Sequence, residues 1–128
     1  NFPTLKYQKS SLNENDKENI LKKIQVEMHD HKYFTNNLGS LSDLAKKINE
    51  SGHHVSQVIN EKLNMNFFEL LAWYRVEEAK QILSDDKEQK ITIEDLAERV
   101  GYNSKSSFNT VFKKQTGQTP SQFRKNQE

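Results

Sequence analysis

The sequence predicts an all-α fold, in which two related two-helix units are joined by one long helix and preceded by an extra N-terminal helix. Residues 92–97 (TIEDLA) repeat residues 40–45 (SLSDLA) at an offset of 52 positions. Each copy opens with a hydroxyl residue suited to capping a helix, and apolar residues then follow at helical spacing. An internal duplication of this kind predicts two copies of one small unit.

Composition limits the classes of protein to which the chain can belong. Its 128 residues are 33% hydrophobic and contain no Cys, which suits one small domain, or one domain with an extension, in a reducing compartment. No apolar run approaches the ~18 residues of a transmembrane helix, and no signal-peptide pattern is present. Because the chain starts with Asn rather than Met, we expect a fragment with sensor, dimerisation or membrane-tethering segments upstream. A cytoplasmic location is expected.

Residues 1–39 are predicted to form a polar, extended lead-in followed by the N-terminal helix. This helix is expected from Asn13 to about Lys32, because Asn13 and Asp16 can cap each other. Its apolar residues repeat at helical spacing, as seen for Ile20, Leu21, Ile24 and Met28. The next stretch, residues 34–39 (FTNNLG), is predicted to be a loop.

The first two-helix unit is predicted at about residues 40–63. Ser40 is expected to cap its first helix and Ser51 its second helix, which runs from about Gly52 to Lys62. The inward-facing residues of the second helix are Val55, Val58 and Ile59. Asn49 falls at the turn, where an asparagine tolerates the left-handed conformation.

The long helix is predicted at about residues 66–84, with Asn66 and Glu69 at its start. It contains too many apolar residues for one narrow stripe, so we expect it to pack on two sides. Leu70, Leu71 and Trp73 are therefore expected to be largely buried between the two halves. A stacking platform for single strands, formed by Trp73 and its neighbour Tyr74, is the alternative for this tryptophan.

The second two-helix unit is predicted at about residues 92–116. Thr92 is expected to cap its first helix, and Gly101 to end it in a left-handed turn. The second helix starts near Ser104 and has an apolar stripe at Phe108, Val111 and Phe112. Two short helices joined by a short turn with glycine are typical of a helix-turn-helix motif.

The outer face of this second helix is polar and basic, which suits a DNA major groove. Six positive charges and no acidic residue lie between residues 99 and 125, although the net charge of the chain is only +1. Such a local excess of positive charge indicates a nucleic-acid-binding surface. An ordinary solvated charged surface is the alternative explanation.

Residues at fixed spacing in this region also resemble the second half of the AraC/XylS-type DNA-binding domain. The matching residues are Ile93, Ala97, Gly101-Tyr102, Phe108, Phe112-Lys113, Gly117, Thr119-Pro120 and Phe123-Arg124. The resemblance extends over about residues 40–125, so residues 40–128 are expected to form one such domain. Arg75, Ala79 and Leu83 also fall at family positions. The resemblance implies a bacterial transcription regulator that binds double-stranded DNA and contacts RNA polymerase.

The first unit departs from this family pattern at four positions, the first of which is Asn49, where the pattern has glycine. Glu50 stands where the pattern has an apolar residue, and Asn64 stands where glycine is usual. Gly52 adds a helix-weakening residue to the first turn of the second helix. We therefore expect the first unit to be less ordered than the second before DNA binds.

Each second helix is expected to enter a major groove, and two successive grooves on one DNA face lie ~34 Å apart. The predicted base-contacting residues are His53, Ser56, Gln57, Lys105, Ser106, Asn109 and Thr110. The predicted phosphate-contacting residues are Lys62, Lys113, Lys114 and Arg124. A helix-turn-helix module for protein–protein association is the alternative, and it would favour acidic or apolar residues at these positions.

The sequence predicts no enzyme, cofactor, metal site or small-molecule site. His29-Asp30-His31 and His53-His54 have spacings that do not place two ligands on one helix face, and no Cys or HExxH pattern accompanies them. The four glycines form no phosphate-binding loop. Adjacent acidic pairs such as Asp85-Asp86 are explained by solvation or helix capping.

Overall fold

The computed structural model of the chain describes residues 12–127, and within that range every regular element is helical. The predicted all-α fold is therefore confirmed. The predicted lead-in falls almost wholly on residues 1–11, which lie outside the described residues. In chain order the α-helices are α1 (Glu14–His29), α2 (Leu41–Lys47), α3 (Gly52–Leu63), α4 (Phe67–Asp85), α5 (Ile93–Arg99), α6 (Lys105–Thr116) and α7 (Pro120–Lys125).

Local capping chemistry sets the start of most helices. At the start of α1 the Asn13 side chain accepts from the Asp16 amide at 2.8 Å, and the Asp16 carboxylate accepts from the Asn13 amide. This reciprocal pair satisfies two amides that lack a partner within the helix. The predicted caps of α2, α3 and α5 are also confirmed, at Ser40, Ser51 and Thr92.

The chain divides into two compact units. The first contains the residues up to Tyr33 together with Gly39–Leu70, and the second contains Phe34–Leu38 and the chain from Leu71 onward. In the first unit α1 packs against α3, and α2 packs against α3. The buried core residues that these helices contribute are Ile20, Ile24, Met28, Leu44, Ala45, Ile48, Val55, Val58 and Ile59.

The second unit is built on α5, α6 and α7 and on the second part of α4. Phe108 and Phe112 of α6 are fully buried, and their rings pack edge to face with centroids 5.6 Å apart. Phe112 is in turn in edge contact with Phe123 of α7. The remaining buried members of this core are Val76, Ala79, Leu83, Ile93, Leu96, Ala97 and Val100.

The prediction for Trp73 is wrong. Leu70 and Leu71 are buried as expected, but Trp73 is 42% exposed. Val76, Ala79 and Leu83 form the buried stripe of α4 in the second unit. Trp73 instead precedes Glu77 and Lys80 by four and seven positions, so it shares their charged, partly exposed helix face. Because the stretch around Trp73 is apolar on more than one helix face, the sequence pattern did not show that the buried stripe excludes Trp73.

The two glycines with positive φ have different surroundings. Gly101, in the turn between α5 and α6, has φ of 111°, and Gly117, at the C-terminal end of α6, has φ of 84°. A Cβ added to Gly101 would lie 2.5 Å from the carbonyl oxygen of Phe34, whereas a Cβ added to Gly117 would meet no atom within 4 Å. Gly101 is therefore required for both its backbone conformation and its close contact.

We expect Gly101→Ala to lower the free energy of unfolding by roughly 2–4 kcal/mol, because backbone strain and a backbone clash add together. Gly117→Ala is the matched control and should cost only about 1 kcal/mol, from the left-handed conformation alone. Chemical denaturation followed by circular dichroism measures both values. Equal costs for the two variants would contradict the close packing described at Gly101.

Candidate nucleic-acid interface

The second motif, α5 and α6 with the turn between them, is held together by caps and by a fully buried inner face. The Thr92 hydroxyl accepts from the Asp95 amide at 3.0 Å, and the Ser104 hydroxyl accepts from the Ser107 amide at 3.1 Å. Because Phe108 and Phe112 fix one face of α6 in the core, the opposite face is turned to solvent.

The four side chains of α6 that we predicted to contact bases share this outer face. Lys105, Ser106 and Thr110 are exposed, and Asn109 is half-buried. Their positions form two pairs at four-residue spacing on adjoining rows of the helix. The Thr110 hydroxyl donates to the carbonyl of Ser106 at 3.1 Å, so its oxygen remains an acceptor. The face thus presents ammonium, amide and hydroxyl groups suited to base edges in a major groove.

Lys113 and Lys114 extend this outer face toward the C-terminal end of α6. Both are exposed, and among residues 12–127 neither has an ion-pair partner, nor has Lys105. Unpaired ammonium groups at a helix surface can neutralise DNA phosphates at little cost, because no internal contact is given up. The three lysines make α6 the cationic recognition helix of the described chain.

Arg124 has a different environment from the one we predicted. Its guanidinium Nη1 donates to the carbonyl of Ile91, 33 positions earlier, and the side chain is half-buried. Asp86 accepts from the amide of Ile91 at 2.9 Å, and this bond, aided by the Lys90 amide and the Arg124 charge, lowers the pKa of Asp86. Arg124 therefore ties α7 to the chain entering α5, which argues against a phosphate contact.

The first motif, α2 and α3 with the turn between them, repeats this construction. Val55, Val58 and Ile59 are fully buried, as predicted, and they fix the inner face of α3. His53 and Ser56, two of the predicted base-contacting residues, are half-buried near the N-terminal end of α3. Both residues therefore remain partly accessible at the end of the helix that would enter a groove.

Gln57 lies on the inner side of α3, and this burial argues against its predicted base contact. It is 2% exposed, and its amide nitrogen donates to Glu61 at 3.2 Å. Glu61 in turn pairs with Lys17 of α1 at 2.9 Å. Gln57 thus belongs to a polar network with Glu61 and Lys17. Because Gln57 is buried, it cannot reach a base edge in this conformation.

Lys62 belongs to the same network, which argues against its predicted phosphate contact. Its ammonium lies 2.7 Å from a carboxylate oxygen of Glu14 and 2.9 Å from one of Glu18. Hydrogen bonds to these two carboxylates, Glu14 first, raise the pKa of Lys62 to about 12. Lys62 is thus occupied in docking α1 on α3, and α3 offers DNA no lysine free of an acidic partner.

A sequence profile described as a helix-turn-helix domain matches residues 44–126, which include α3, α5, α6 and most of α2. The chain belongs to the AraC-type helix-turn-helix family. This family comprises DNA-binding domains of transcription regulators, so the chain is a DNA-binding domain of that kind. The identification confirms the resemblance found in the sequence.

Known proteins are similar to most of the chain. An uncharacterised HTH-type transcriptional regulator of Staphylococcus aureus (strain COL) is 36% identical over 99 residues, which are 77% of this chain and 12% of that protein. The C-terminal domain of AraT, a response regulator from Geobacillus stearothermophilus, has a TM-score of 0.69 and 31% identity, covering 91% of this chain and 88% of that one. The chain thus spans a small part of the curated relative's length.

A second solved structure supports the same fold. The C-terminal domain of the two-component response regulator yesN from Fusobacterium nucleatum has a TM-score of 0.66 and 29% identity, covering 86% of this chain and 98% of that one. Across residues 12–127 no helix is long and apolar enough to cross a membrane. In that same range no group of three or more His, Asp or Glu side chains is arranged to hold a metal ion.

Two departures of the first AraC-type motif from the family pattern, at Glu50 and Asn64, have structural explanations. Glu50 forms an ion pair with Lys23 of α1 at 2.6 Å, so α1 supplies a charged partner where the pattern has an apolar residue. The Lys23 ammonium also donates to the carbonyl of Ile48 at 3.2 Å. Asn64 takes the left-handed conformation expected of glycine, with φ of 56°. α1 is therefore part of the first unit.

No contact of Arg75 was predicted from the sequence. Its guanidinium donates to the carbonyls of Phe34 and Asn36 and lies over the ring of Tyr102 in the turn of the second motif. The sequence around Arg75 did contain a signal for a specific contact. Arg75 is the only cation in residues 67–79, and the other residues of this stretch are apolar or acidic. A lone arginine in such a stretch indicates a specific partner, although it does not identify one.

Proposed function

We propose that the chain binds double-stranded DNA in a sequence-specific manner, with α3 and α6 in successive major grooves about 34 Å apart. The observation that carries the proposal is the outer face of α6. It combines three exposed lysines with Ser106, Asn109 and Thr110, and no acidic residue lies on the helix. A surface for protein–protein association has no need of this combination.

Within this proposal the two classes of contact are separate. Lys105, Ser106, Asn109 and Thr110 contact base edges from α6, and His53 and Ser56 do so from α3. Lys113 and Lys114 contact phosphates, which positions the helix without selecting a sequence. Selection of bound duplexes from a random DNA pool tests the arrangement, because two grooves require two half-sites one helical turn apart.

We also propose that the chain is the DNA-binding end of a longer regulator. Support comes from the staphylococcal relative, of which it matches 12%, and from two solved response-regulator C-terminal domains that it resembles. RNA polymerase is the further partner that such a regulator would contact, and a cytoplasmic location follows from both partners. Co-purification of polymerase with the DNA-bound full-length regulator, but not with free DNA, tests this part.

Asn109→Ala and Lys114→Ala should affect binding in different ways. Asn109→Ala should lose about 1–3 kcal/mol of discrimination at one base position, because only a base edge responds to the lost amide. Lys114→Ala should weaken binding to every duplex alike and make the slope of log K against log[salt] shallower by about 0.9. Titrations of both variants against the selected duplex and its single-base variants measure these effects.

The outcome that contradicts the proposed roles is clear. If the two variants weaken every duplex to the same extent, α6 does not read bases through Asn109. If the unchanged chain binds no duplex at low salt, sequence-specific DNA binding by this chain is excluded. Circular dichroism of each variant serves as the control for folding, and both substitutions replace side chains outside the buried core.

A further inference from the structure

A short segment that precedes the first motif in sequence packs in the second unit. This segment, Phe34–Leu38, is here called the strap. It lies outside the residues that match the family profile, which begin at residue 44. Phe34 anchors it, because its side chain is only 3% exposed and its ring stacks on Tyr74 with centroids 5.8 Å apart.

Arg75 of α4 binds the strap to the turn of the second motif. Its Nε donates to the carbonyl of Phe34 at 2.7 Å, and a terminal nitrogen donates to the carbonyl of Asn36 at 3.2 Å. The same guanidinium lies 4.8 Å from the centre of the Tyr102 ring, in a cation–π contact. Tyr102 follows Gly101, whose missing Cβ allows the strap backbone to approach. The strap is therefore fixed on the turn that leads into α6.

The strap places one side chain beside the start of the recognition helix. The Asn37 amide nitrogen donates to the side-chain oxygen of Asn103 at 2.6 Å, and both residues are exposed. Asn103 directly precedes Ser104, the N-cap of α6. Because the oxygen of the Asn103 amide is held by Asn37, its nitrogen, with two N–H donors, is the end left for another partner.

We propose that Asn37 is a positioning residue for DNA recognition by the second motif: it holds the Asn103 amide so that the nitrogen donates to an acceptor on the DNA. The proposal rests on the proposed function, since in a helix-turn-helix complex the N-terminal end of the recognition helix approaches the bases. A side-chain amide that rotates freely about its last torsion loses this freedom when it binds DNA, and this entropic cost lowers the affinity. Because the strap already holds the Asn103 amide, the cost does not arise on binding.

A double-mutant cycle in DNA affinity tests the proposal. Asn37→Ala should weaken binding to the selected duplex about three- to tenfold, the effect of releasing one preorganised side chain. Asn103→Ala should weaken it at least as much. The double variant should then bind like Asn103→Ala alone, because Asn37 acts only through Asn103. Asn19→Ala, an exposed asparagine of α1 in the first unit, is the matched control and should leave affinity unchanged.

Asn37→Asp gives a readout that a merely structural role would not produce. A carboxylate only accepts hydrogen bonds, so it should hold the Asn103 nitrogen and turn the Asn103 oxygen toward the DNA. If Asn103 contacts a base, pool selection with this variant should yield a changed preference at one position. If it contacts a phosphate, the loss should be equal for all duplexes. Either pattern supports positioning, provided that Asn37→Asp has no further effect in the Asn103→Ala background.

Two results overturn the proposal. Unchanged affinity of Asn37→Ala would do so, and so would losses from Asn37→Ala and Asn103→Ala that add in full. In both cases the unchanged chain still binds its duplex and Asn109→Ala still loses discrimination, so the proposed function stands. Absence of duplex binding by the unchanged chain would instead remove the proposed function together with this inference. Thermal unfolding of each variant shows whether the fold is retained.

Discussion

Replacing Lys105, Lys113 and Lys114 together by glutamine should lower the affinity for duplex DNA at least about 60-fold at 0.1 M salt. Each phosphate contact contributes about 0.9 to the slope of log K against log[salt], so Lys113 and Lys114 account for about 1.8. Loss of the Lys105 contact to a base edge lowers the affinity further without adding to this slope. The three side chains are exposed and unpaired within the described chain, so their loss should leave the fold intact. Titration of the selected duplex at several salt concentrations measures the slope directly.

Lys62→Gln is the matched control for this triple variant. The substitution also removes one cation from a recognition helix, but Lys62 is paired with Glu14 and Glu18. Its charge is therefore balanced within the first unit, and the salt slope should stay unchanged. A slope that falls by about 0.9 in Lys62→Gln would show that DNA displaces α1 from this lysine. An unchanged slope in the triple variant would show that α6 does not neutralise phosphates.

The lysines of α6 are exposed and unpaired within the described chain, whereas Lys62 of α3 is paired with two carboxylates. This contrast indicates unequal roles for the two motifs. The second motif brings its cations to the surface, while the lysine of α3 is paired with α1 and Gln57 is buried. Base contacts from the first motif would then come from neutral polar side chains and from His53. We therefore expect the second motif to supply most of the electrostatic affinity, and the first to add sequence discrimination.

The helix starts and the two motifs could be predicted because they depend on interactions between residues three or four positions apart. Asn13 with Asp16 and Thr92 with Asp95 are visible in the sequence as soon as a cap is considered. The inner face of α6 is equally local, since Phe108 and Phe112 repeat at helical spacing. Short-range chemistry of this kind requires no knowledge of the tertiary structure.

Several contacts that the sequence did not predict join residues that are distant in the chain. Glu50 pairs with Lys23, which lies 27 positions earlier, and Arg124 binds the carbonyl of Ile91. Lys62 reaches Glu14 over 48 positions, so its apparent role as a free cation could not be judged from its own helix. Long-range pairing of polar groups has no periodicity in the sequence. A side chain that is charged can therefore already be paired with a distant residue in the fold.

Phe112→Ala should lower the free energy of unfolding by about 3–5 kcal/mol, which is the usual cost of removing a fully buried phenyl ring. The ring is in edge contact with both Phe108 and Phe123, so its removal leaves a cavity among α6, α7 and their neighbours. Chemical denaturation followed by far-ultraviolet circular dichroism measures the change. A cost below about 1 kcal/mol would contradict the position of Phe112 at the centre of the second core.

Trp73→Ala is the comparison that makes this result informative, because a larger aromatic residue is removed from a partly exposed position. Trp73 is 42% exposed, so the expected cost is only about 1–2 kcal/mol, smaller than that of Phe112→Ala. As the only tryptophan, Trp73 also reports its own environment, and a soluble quencher should reduce its fluorescence readily in the folded chain. Strong protection from the quencher, together with a cost equal to that of Phe112→Ala, would place Trp73 in a core instead.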